Sequence, residues 1–346
     1  MARTPAVSGN TLTPIPFGGT PPKDLAELRD HVQRLLDGWL GKTRSERTRV
    51  AYRKDIEQFL GFLGLRATQI EQMTRITDSD VSSWCDHLLS SGGRPLADGT
   101  PTEAANATVA RKLTSIRSFF SYLQSHGYRG ANPAHPHFVN TPPVSTEGTT
   151  PTIAPERMVS LLGVPDTMQP EGIRDKAILA VFAYMALRVE ELTTLSVKKI
   201  VVNGEHTTLH IKGKGKQDRV GVIPPVAAKA VREWLSVANI GEDRDGPLFR
   251  PTLSPRGRGL DGFKRKSLTI RAVQKLVKKY CLEVGIDEKV SVHSLRVTAA
   301  TEAHKAGVPL GQIQHWLGHK DPRTTQRYIR EGENLDQSPA YMIRYG

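Results

Sequence analysis

The sequence has 346 residues, of which 38% are hydrophobic and 24% charged, as in ordinary globular proteins with room for two domains. Its 48 Lys and Arg residues against 35 Asp and Glu give a formal net charge of +13, which favours a polyanionic partner: nucleic acid first, an acidic membrane surface second. No apolar run resembles a signal peptide or a membrane span, and two distant cysteines without a CxxC argue against a disulfide framework, so we expect a cytoplasmic protein.

The N-terminal part of the chain predicts a flexible arm followed by a helical domain. Residues 1–23 are rich in Pro, Gly and Thr, which is typical of a mobile segment. Between residues 24 and 138, apolar residues recur at spacings of three and four and predict four amphipathic helices. Their apolar stripes are Leu25, Leu28, Val32, Leu35 and Trp39; Ile56, Phe59, Leu60 and Leu63; Val81, Trp84 and Leu88; and Val109, Leu113, Ile116, Phe120 and Leu123.

Basic residues accompany two of these stripes and are candidates for DNA-phosphate contacts. Arg47, Arg49 and Arg53 crowd the second helix, and Arg111 and Lys112 flank the fourth. A solvated helix face explains any one of them equally well.

Residues 139–153 are dense in Pro, Thr, Ser and Gly and predict a linker, so that residues 154–346 form a second domain. This domain opens with a buried helix over 175–184. Residues 206–225 contain two β-rich runs around a Gly/Lys turn and predict a hairpin, after which the pattern is helical. We therefore expect a mainly α protein with a small β-sheet in its C-terminal domain.

A second basic segment lies between residues 250 and 279, where Asp261 is the single acid among ten basic residues. Such clustering favours phosphate contacts over a uniformly charged surface. The candidates for DNA binding in this segment are Lys264, Arg265 and Lys266.

The stretch 293–330 combines a His-x-x-Arg, a His after Leu-Gly, and a Tyr nine residues further on. Gly318 suits a helix end, and Asp321-Pro322 suits the start of another helix that carries Tyr328. His319 would then lie in the tight connection between the two helices. A tyrosine becomes a covalent nucleophile when cations hold its electrophile.

Attack on a phosphodiester needs donors for the non-bridging oxygens and an acid for the departing alkoxide. Arginine is suited to the first task because it is permanently charged and bidentate. Arg188, after the apolar helix, and Arg296 are the candidates. Lys214, between two glycines of the hairpin turn, is the candidate acid.

The ordered segments ALRVEEL, IKGKGKQDR, HSLR, LGH and the final Tyr resemble the tyrosine recombinases, the phage-integrase and Xer-like family. The segments TRVAYRKDIEQFLGFL and ATVARKLTSIRSFFSYLQ resemble that family's SAM-like core-binding domain. The resemblance implies that the catalytic set is Arg188, Lys214, His293, Arg296, His319 and the nucleophile Tyr328, with Glu191 as a supporting carboxylate.

The family's reaction implies a 3′-phosphotyrosyl intermediate on double-stranded DNA, without metal, nucleotide or other cofactor. It also implies a homo-tetramer on two DNA sites, in some cases with an accessory protein, and a nucleoid-associated location. The biological role is left open between DNA integration, excision or transposition of a mobile element and the resolution of chromosome or plasmid dimers. Two departures matter. Ala186 stands where the family usually has Gly, and Lys212 and Lys216 are alternatives to Lys214 as the acid.

Two other interpretations account for parts of this pattern. His315 and His319 have a zinc-type HxxxH spacing, but Gly318 should end their helix and the Glu of an HExxH motif is missing. A non-catalytic, architectural or regulatory DNA-binding protein derived from a recombinase is the alternative function. The complete set of reactive residues favours the enzyme, because a protein that only binds DNA does not need the tyrosine.

Overall fold

The computed structural model describes residues 34–43, 45–65, 73, 75–145, 150–213, 218–253, 262–287 and 289–329. The chain divides into two compact units, an N-terminal unit (Met1–Ser145) and a C-terminal unit (Thr146–Gly346). Within the described ranges, both units are built mainly from helices, and all named strands form one three-stranded sheet in the C-terminal unit. The predicted fold class is thus confirmed. No helix in these ranges is both long and apolar enough to cross a bilayer.

The N-terminal unit contains helices α1 (Glu46–Phe62), α2 (Asp78–Ser91) and α3 (Asn106–Ser125), and residues 34–41 are also helical. Residues 24–33, where the first predicted helix begins, lie outside the described residues. The described residues of the predicted stripes pack in the core, in which the Phe59 ring lies edge-on to Trp84 at 5.1 Å and to Phe120 at 6.2 Å between centroids. Helix α2 starts at a capping box, because the Thr77 hydroxyl and the Asp80 carboxylate each accept from the other residue's backbone N–H.

A buried carboxylate joins α1 to α3. Asp55 accepts hydrogen bonds from both terminal nitrogens of Arg111, at 2.6 and 2.9 Å, and from the Ser115 hydroxyl at 2.9 Å. The Lys112 ammonium lies 3.7 Å away. Two of the predicted DNA-binding residues therefore also hold this unit together.

The C-terminal unit surrounds a second apolar core. Its helices are α4 (Pro155–Gly163), α5 (Pro170–Met185), α6 (Val189–Thr193), α7 (Pro225–Val237), α8 (Ile270–Glu283), α9 (Val292–Lys305), α10 (Leu310–Leu317) and α11 (Pro322–Gln326). Helix α5 is the buried helix expected from the sequence, and Ile178, Leu179 and Val181 at its centre are fully buried.

The sheet contains β1 (Ile200–Asn203), β2 (His206–Ile211) and β3 (Arg219–Ile223), antiparallel in the order β1-β2-β3. Strands β2 and β3 are the predicted hairpin, with Leu209 opposite Gly221. The sequence interpretation missed β1, a four-residue edge strand whose pairing continues from β2. Along β3, Val220 and Val222 are exposed while the alternate positions are buried.

Candidate active site

The turn after α5 positions the first arginine. Ala186 ends the helix in the left-handed conformation, with φ 47° and ψ 38°, and its N–H donates to the Phe182 carbonyl. This conformation costs a non-glycine residue about 1 kcal/mol or more, which explains why glycine is the usual residue here. The chain then extends through Leu187, so that Arg188 becomes the N-cap of α6 with its side chain 36% exposed.

Glu191, in the first turn of α6, is the centre of an ion-pair network. Its carboxylate accepts from the Arg188 backbone N–H and from Arg188 Nη1, both at 2.9 Å. It also accepts from both terminal nitrogens of Arg219, at 2.9 and 2.8 Å. Burial would raise the pKa of Glu191, but the hydrogen bonds from Arg219 and Arg188 outweigh it and lower this pKa to about 2. The carboxylate is therefore ionised at neutral pH.

Sequence reasoning missed Arg219 as a site residue. It is the first residue of β3, and its side chain, 4% exposed, points to the buried side of the sheet. The alternation of β3 would place Val220 and Val222 inside, so the pattern hides an inward-pointing arginine. The observation that signals its role is its pairing with Glu191, the carboxylate that the family resemblance singled out.

Arg296, on α9, is almost fully buried, at 1% exposure. Its guanidinium donates to the carbonyls of Ala186 and Leu317, the latter at 2.6 Å, and lies 3.0 Å from His319 Nε2. Burial lowers the pKa of Arg296 to about 10, and nearby Arg188 adds to this effect, but the group stays protonated at neutral pH. Within the described residues, its Nε–H has no hydrogen-bond partner.

His319 lies in the connection that the sequence predicted. Gly318 ends α10 in the left-handed conformation at φ 65°, and the side chain of the next residue turns into the site. Its Nδ1 is 3.0 Å from Thr325 Oγ1. Two effects together lower the pKa of His319 to about 3: burial, which is the larger, and the positive charges of Arg296, Arg188 and Arg219. His319 is therefore a neutral imidazole at physiological pH.

Tyr328 follows α11, which starts as predicted with Asp321 as N-cap and Pro322 in the first turn. The helix ends at Gln326, so Tyr328 lies in the turn after it and not within it. Its ring is edge-on to two imidazoles, at 5.1 Å from His293 and 4.7 Å from His319 between centroids. The guanidinium carbon of Arg296 lies 5.6 Å from the ring centroid.

The described residues thus bring together six of the seven site residues that the sequence suggested. These are Arg188, Glu191, His293, Arg296, His319 and Tyr328. Lys214 and its alternative Lys216 lie outside the described residues, and Lys212 is exposed at the end of β2.

The zinc interpretation of His315 and His319 finds no support in this geometry. His319 is beyond the end of α10, and both of its ring nitrogens already face protein groups. Among the described residues, no cluster of His, Cys, Asp and Glu has the arrangement of a metal site.

Several of the residues predicted to bind DNA are paired with carboxylates. Arg49 contacts Glu46 at 3.1 Å, and Arg53 contacts Asp37 at 2.9 Å. Arg111 and Lys112 share Asp55, and Arg265 binds Asp243 through two nitrogens, at 2.8 and 2.7 Å. Lys264 and Lys266 are exposed. The assignment of these residues and of Arg47 to DNA binding stays a prediction.

Comparison with known proteins shows the family of this chain. The phage integrase family matches residues 151–334, and the N-terminal SAM-like domain of phage integrases matches residues 35–127. The chain therefore belongs to the phage integrase family of tyrosine recombinases. It is a site-specific recombinase that cleaves and rejoins DNA.

Its relatives include the tyrosine recombinases XerC of two bacteria. The protein of Syntrophus aciditrophicus is 30% identical over 312 residues, which cover 89% of this chain and 94% of the relative. That of Pelobacter propionicus is 32% identical over 285 residues, 82% of this chain and 84% of the relative. Both alignments extend through the two units described above.

Solved structures show the same fold at lower identity. XerH bound to a palindromic difH substrate, in a post-cleavage complex, aligns with a TM-score of 0.63 at 15% identity, covering 92% of this chain and 96% of XerH. A lambda integrase dimer bound to a COC′ core site aligns with a TM-score of 0.62 at 13% identity, covering 87% and 96%.

Proposed function

We propose that Tyr328 is the nucleophile of this recombinase and forms a 3′-phosphotyrosyl bond with double-stranded DNA. The observation that carries the proposal is the position of its ring, edge-on to His293 and His319 and 5.6 Å from the guanidinium carbon of Arg296. A tyrosine packed for stability alone does not need a fully buried guanidinium beside it, because burying that charge is costly.

The arginine cluster has the charge needed to bind a phosphodiester. Arg188, Arg219 and Arg296 carry three positive charges and Glu191 one negative charge, and since His319 is neutral, the cluster holds a net +2. Arg188 is partly exposed and can reach a bound phosphate, whereas the two hydrogen bonds of Arg219 to Glu191 commit its charge to the network. The Nε–H of Arg296, which has no partner among the described residues, is a further donor for a non-bridging oxygen.

The reaction then proceeds in two balanced steps. The phenolic oxygen of Tyr328 bonds to the scissile phosphorus, the bond from phosphorus to the 5′ oxygen breaks, and that oxygen takes a proton, which we assign to Lys214. The phenolic proton passes to His293, whose ring lies 5.1 Å from that of Tyr328 between centroids. In the second step a 5′ hydroxyl of another strand attacks the same phosphorus and gives its proton to Lys214, while the bond from phosphorus to Tyr328 breaks and the phenolate takes its proton back from His293. The phosphotyrosyl bond keeps the energy of the original linkage, so ligation needs neither ATP nor a cofactor.

The domain organisation that we propose covers the whole chain. We assign an arm to residues 1–23, a DNA-binding core domain to 24–138, a linker to 139–153 and the catalytic domain to 154–346. Four protomers on two DNA sites would supply one tyrosine for each strand exchanged. The XerH and lambda integrase structures, both bound to DNA, support duplex binding. The family resemblance also suggests an accessory protein, a place on the nucleoid, and a role either in mobile-element integration, excision or transposition or in dimer resolution.

A nicked suicide duplex tests the proposal. Its sequence is first selected from random duplexes for binding, and the nick lies near the cleavage position so that the freed strand diffuses away and the adduct is trapped. We expect the wild type to give a protein–DNA band stable to denaturant, and Tyr328→Phe to give none while still binding the duplex.

Tyr184→Phe is the matched control, because Tyr184 is an exposed tyrosine of the same unit. It should form the adduct at the wild-type rate. A Tyr328→Phe variant that still forms the adduct would refute the assignment of the nucleophile. A wild type that binds the selected duplex without forming an adduct would favour the non-catalytic DNA-binding alternative.

A further inference from the structure

A buried threonine contacts the second histidine of the site. Thr325, in the last turn of α11, is fully buried, and its hydroxyl oxygen is 3.0 Å from His319 Nδ1. Its backbone carbonyl accepts a hydrogen bond from the Tyr328 N–H at 2.9 Å. The neighbouring Thr324 is exposed, so the two adjacent threonines have different environments.

The proton positions on His319 follow from its two partners. Nε2 lies 3.0 Å from Arg296 Nη2, and a guanidinium group only donates, so Nε2 must accept. Because the imidazole is neutral, its one proton resides on Nδ1. Nδ1–H therefore donates to Thr325 Oγ1, which has the lone pairs to accept it.

We propose that Thr325 is a positioning residue that holds His319 in the Nδ1–H tautomer and so presents Nε2 as an unprotonated nitrogen within the arginine cluster. In this state Nε2 accepts the hydrogen bond from Arg296 and holds that guanidinium beside the ring of Tyr328. This inference rests on the proposed function, because Arg296 is one of the groups assigned to bind the scissile phosphate.

A purely structural role for Thr325 makes different predictions. Thr325→Val keeps the shape and burial but removes the only hydroxyl in this contact, which leaves Nδ1–H unpaired. Thr325→Ser restores the hydroxyl without the methyl group. If Thr325 acts through His319, its loss has no further effect once His319 is replaced, because the coupling between the two residues is already gone.

The tautomer is measured directly in the DNA-free protein. Histidine labelled with 15N is observed by NMR at pH 7, and the His319 resonances are identified by their absence in His319→Gln. We expect a protonated Nδ1 and an unprotonated Nε2 in the wild type and in Thr325→Ser, and a changed His319 pattern in Thr325→Val. A wild-type His319 protonated on Nε2 would overturn the proposal, whether or not Thr325→Val folds.

Cleavage of the suicide duplex gives the second readout. Thr325→Val should cleave at least about tenfold more slowly, as expected when the hydrogen-bond partner that orients a histidine of the site is removed. Thr325→Ser and the exposed control Thr324→Val should cleave at nearly the wild-type rate. In the His319→Gln background, Thr325→Val should slow cleavage no further. Wild-type cleavage by Thr325→Val, or an undiminished loss in that background, would refute the proposal.

These outcomes are distinguishable from a failure of the proposed function. If Tyr328→Phe still forms the adduct, the nucleophile is wrong whatever Thr325 does. If Tyr328→Phe abolishes the adduct and His319 is protonated on Nε2, the role proposed for Thr325 is wrong, while the assignment of Tyr328 as the nucleophile stands.

Discussion

Each unit of this recombinase contains a buried carboxylate that accepts hydrogen bonds from two nitrogens of an arginine on another helix or strand: Asp55 in the N-terminal unit and Glu191 in the C-terminal unit. In the N-terminal unit, Asp55 accepts hydrogen bonds from Arg111 and Ser115 and so joins α1 to α3, and the Arg111 side chain remains 47% exposed. In the C-terminal unit, Glu191 accepts hydrogen bonds from Arg219, which is almost completely buried, and from Arg188.

The difference lies in what surrounds each carboxylate. Around Asp55 the hydrogen bonds connect two helices of one core, and the cluster adds stability. Around Glu191 a further buried arginine, Arg296, approaches to 3.9 Å and keeps a donor without a partner among the described residues. An excess of positive charge there favours a bound phosphate, since buried cations are stable only when paired or coordinated. The same type of ion pair thus joins two helices in one unit and lies among the proposed catalytic residues in the other.

The largest contrast should come from neutralising each carboxylate. Glu191→Gln removes the counter-charge of the buried Arg219, so we expect the C-terminal unit to lose about 3–5 kcal/mol and cleavage to fail. Asp55→Asn should destabilise the N-terminal unit by about 1–3 kcal/mol and leave cleavage of bound DNA intact, because Arg111 can turn to solvent. Hydrogen exchange resolved by unit, together with the suicide-duplex assay, measures both effects. If both variants lost the same stability and both still cleaved DNA, the claim that only the Glu191 cluster is needed for cleavage would be wrong.

Removing Arg188 should separate reaction from folding. Arg188→Ala leaves Glu191 paired with Arg219, so the unit should stay folded, while cleavage of bound DNA slows about 100- to 1000-fold through loss of a phosphate donor. Arg157→Ala is the control, since Arg157 is an exposed arginine of the same unit whose guanidinium donates to the Val284 carbonyl. Single-turnover cleavage rates at saturating DNA measure this loss. A rate for Arg188→Ala equal to that of Arg157→Ala would contradict the assignment of Arg188 as a phosphate donor.

Acid should weaken the C-terminal unit through His319. Burial lowers the pKa of its folded form to about 3, below the ordinary value of 6.5. The unfolded chain therefore binds a proton that the folded chain does not, so this contribution to stability is complete above pH 6.5 and is lost as the pH falls toward 3. Each unit of pH in this window costs about 1.4 kcal/mol.

Urea unfolding of wild type and His319→Gln at pH 7 and pH 5 measures this contribution. The variant should lose less stability on acidification by about 2 kcal/mol, because roughly 1.5 of the two units of pH lie below pH 6.5. Parallel losses in the two proteins would show that His319 already titrates normally when folded.

The smallest effect concerns the strained turn. Ala186→Gly relieves the left-handed conformation but removes a buried methyl group and adds backbone freedom, so we expect a change in unfolding free energy within about 1 kcal/mol. Thermal unfolding measures it. A loss of several kcal/mol would mean that the Ala186 side chain, and not its backbone, supports the carbonyl that Arg296 contacts.

The sequence predicts the site where its motifs are local. Gly318, Asp321 and Pro322 mark helix ends within a few residues of each other, so the position of His319 follows from short-range rules. The same rules find the start of the last helix but not its end, and Tyr328 lies in the turn after it rather than within it. Arg219 could not be found in this way, because its strand places two valines outward and its partner Glu191 is 28 residues away. Likewise, nothing in the α3 sequence shows that Arg111 pairs with Asp55 rather than with solvent or phosphate.

Mapping the adduct by mass spectrometry tests the central claim most directly. After trapping on the nicked duplex, nuclease and protease digestion leaves a nucleotide on the reacting side chain. The mass increase should lie on Tyr328, linked through a 3′ phosphate. A nucleotide found on any other residue, or a trapped strand carrying a 5′ linkage, would contradict this account of the site.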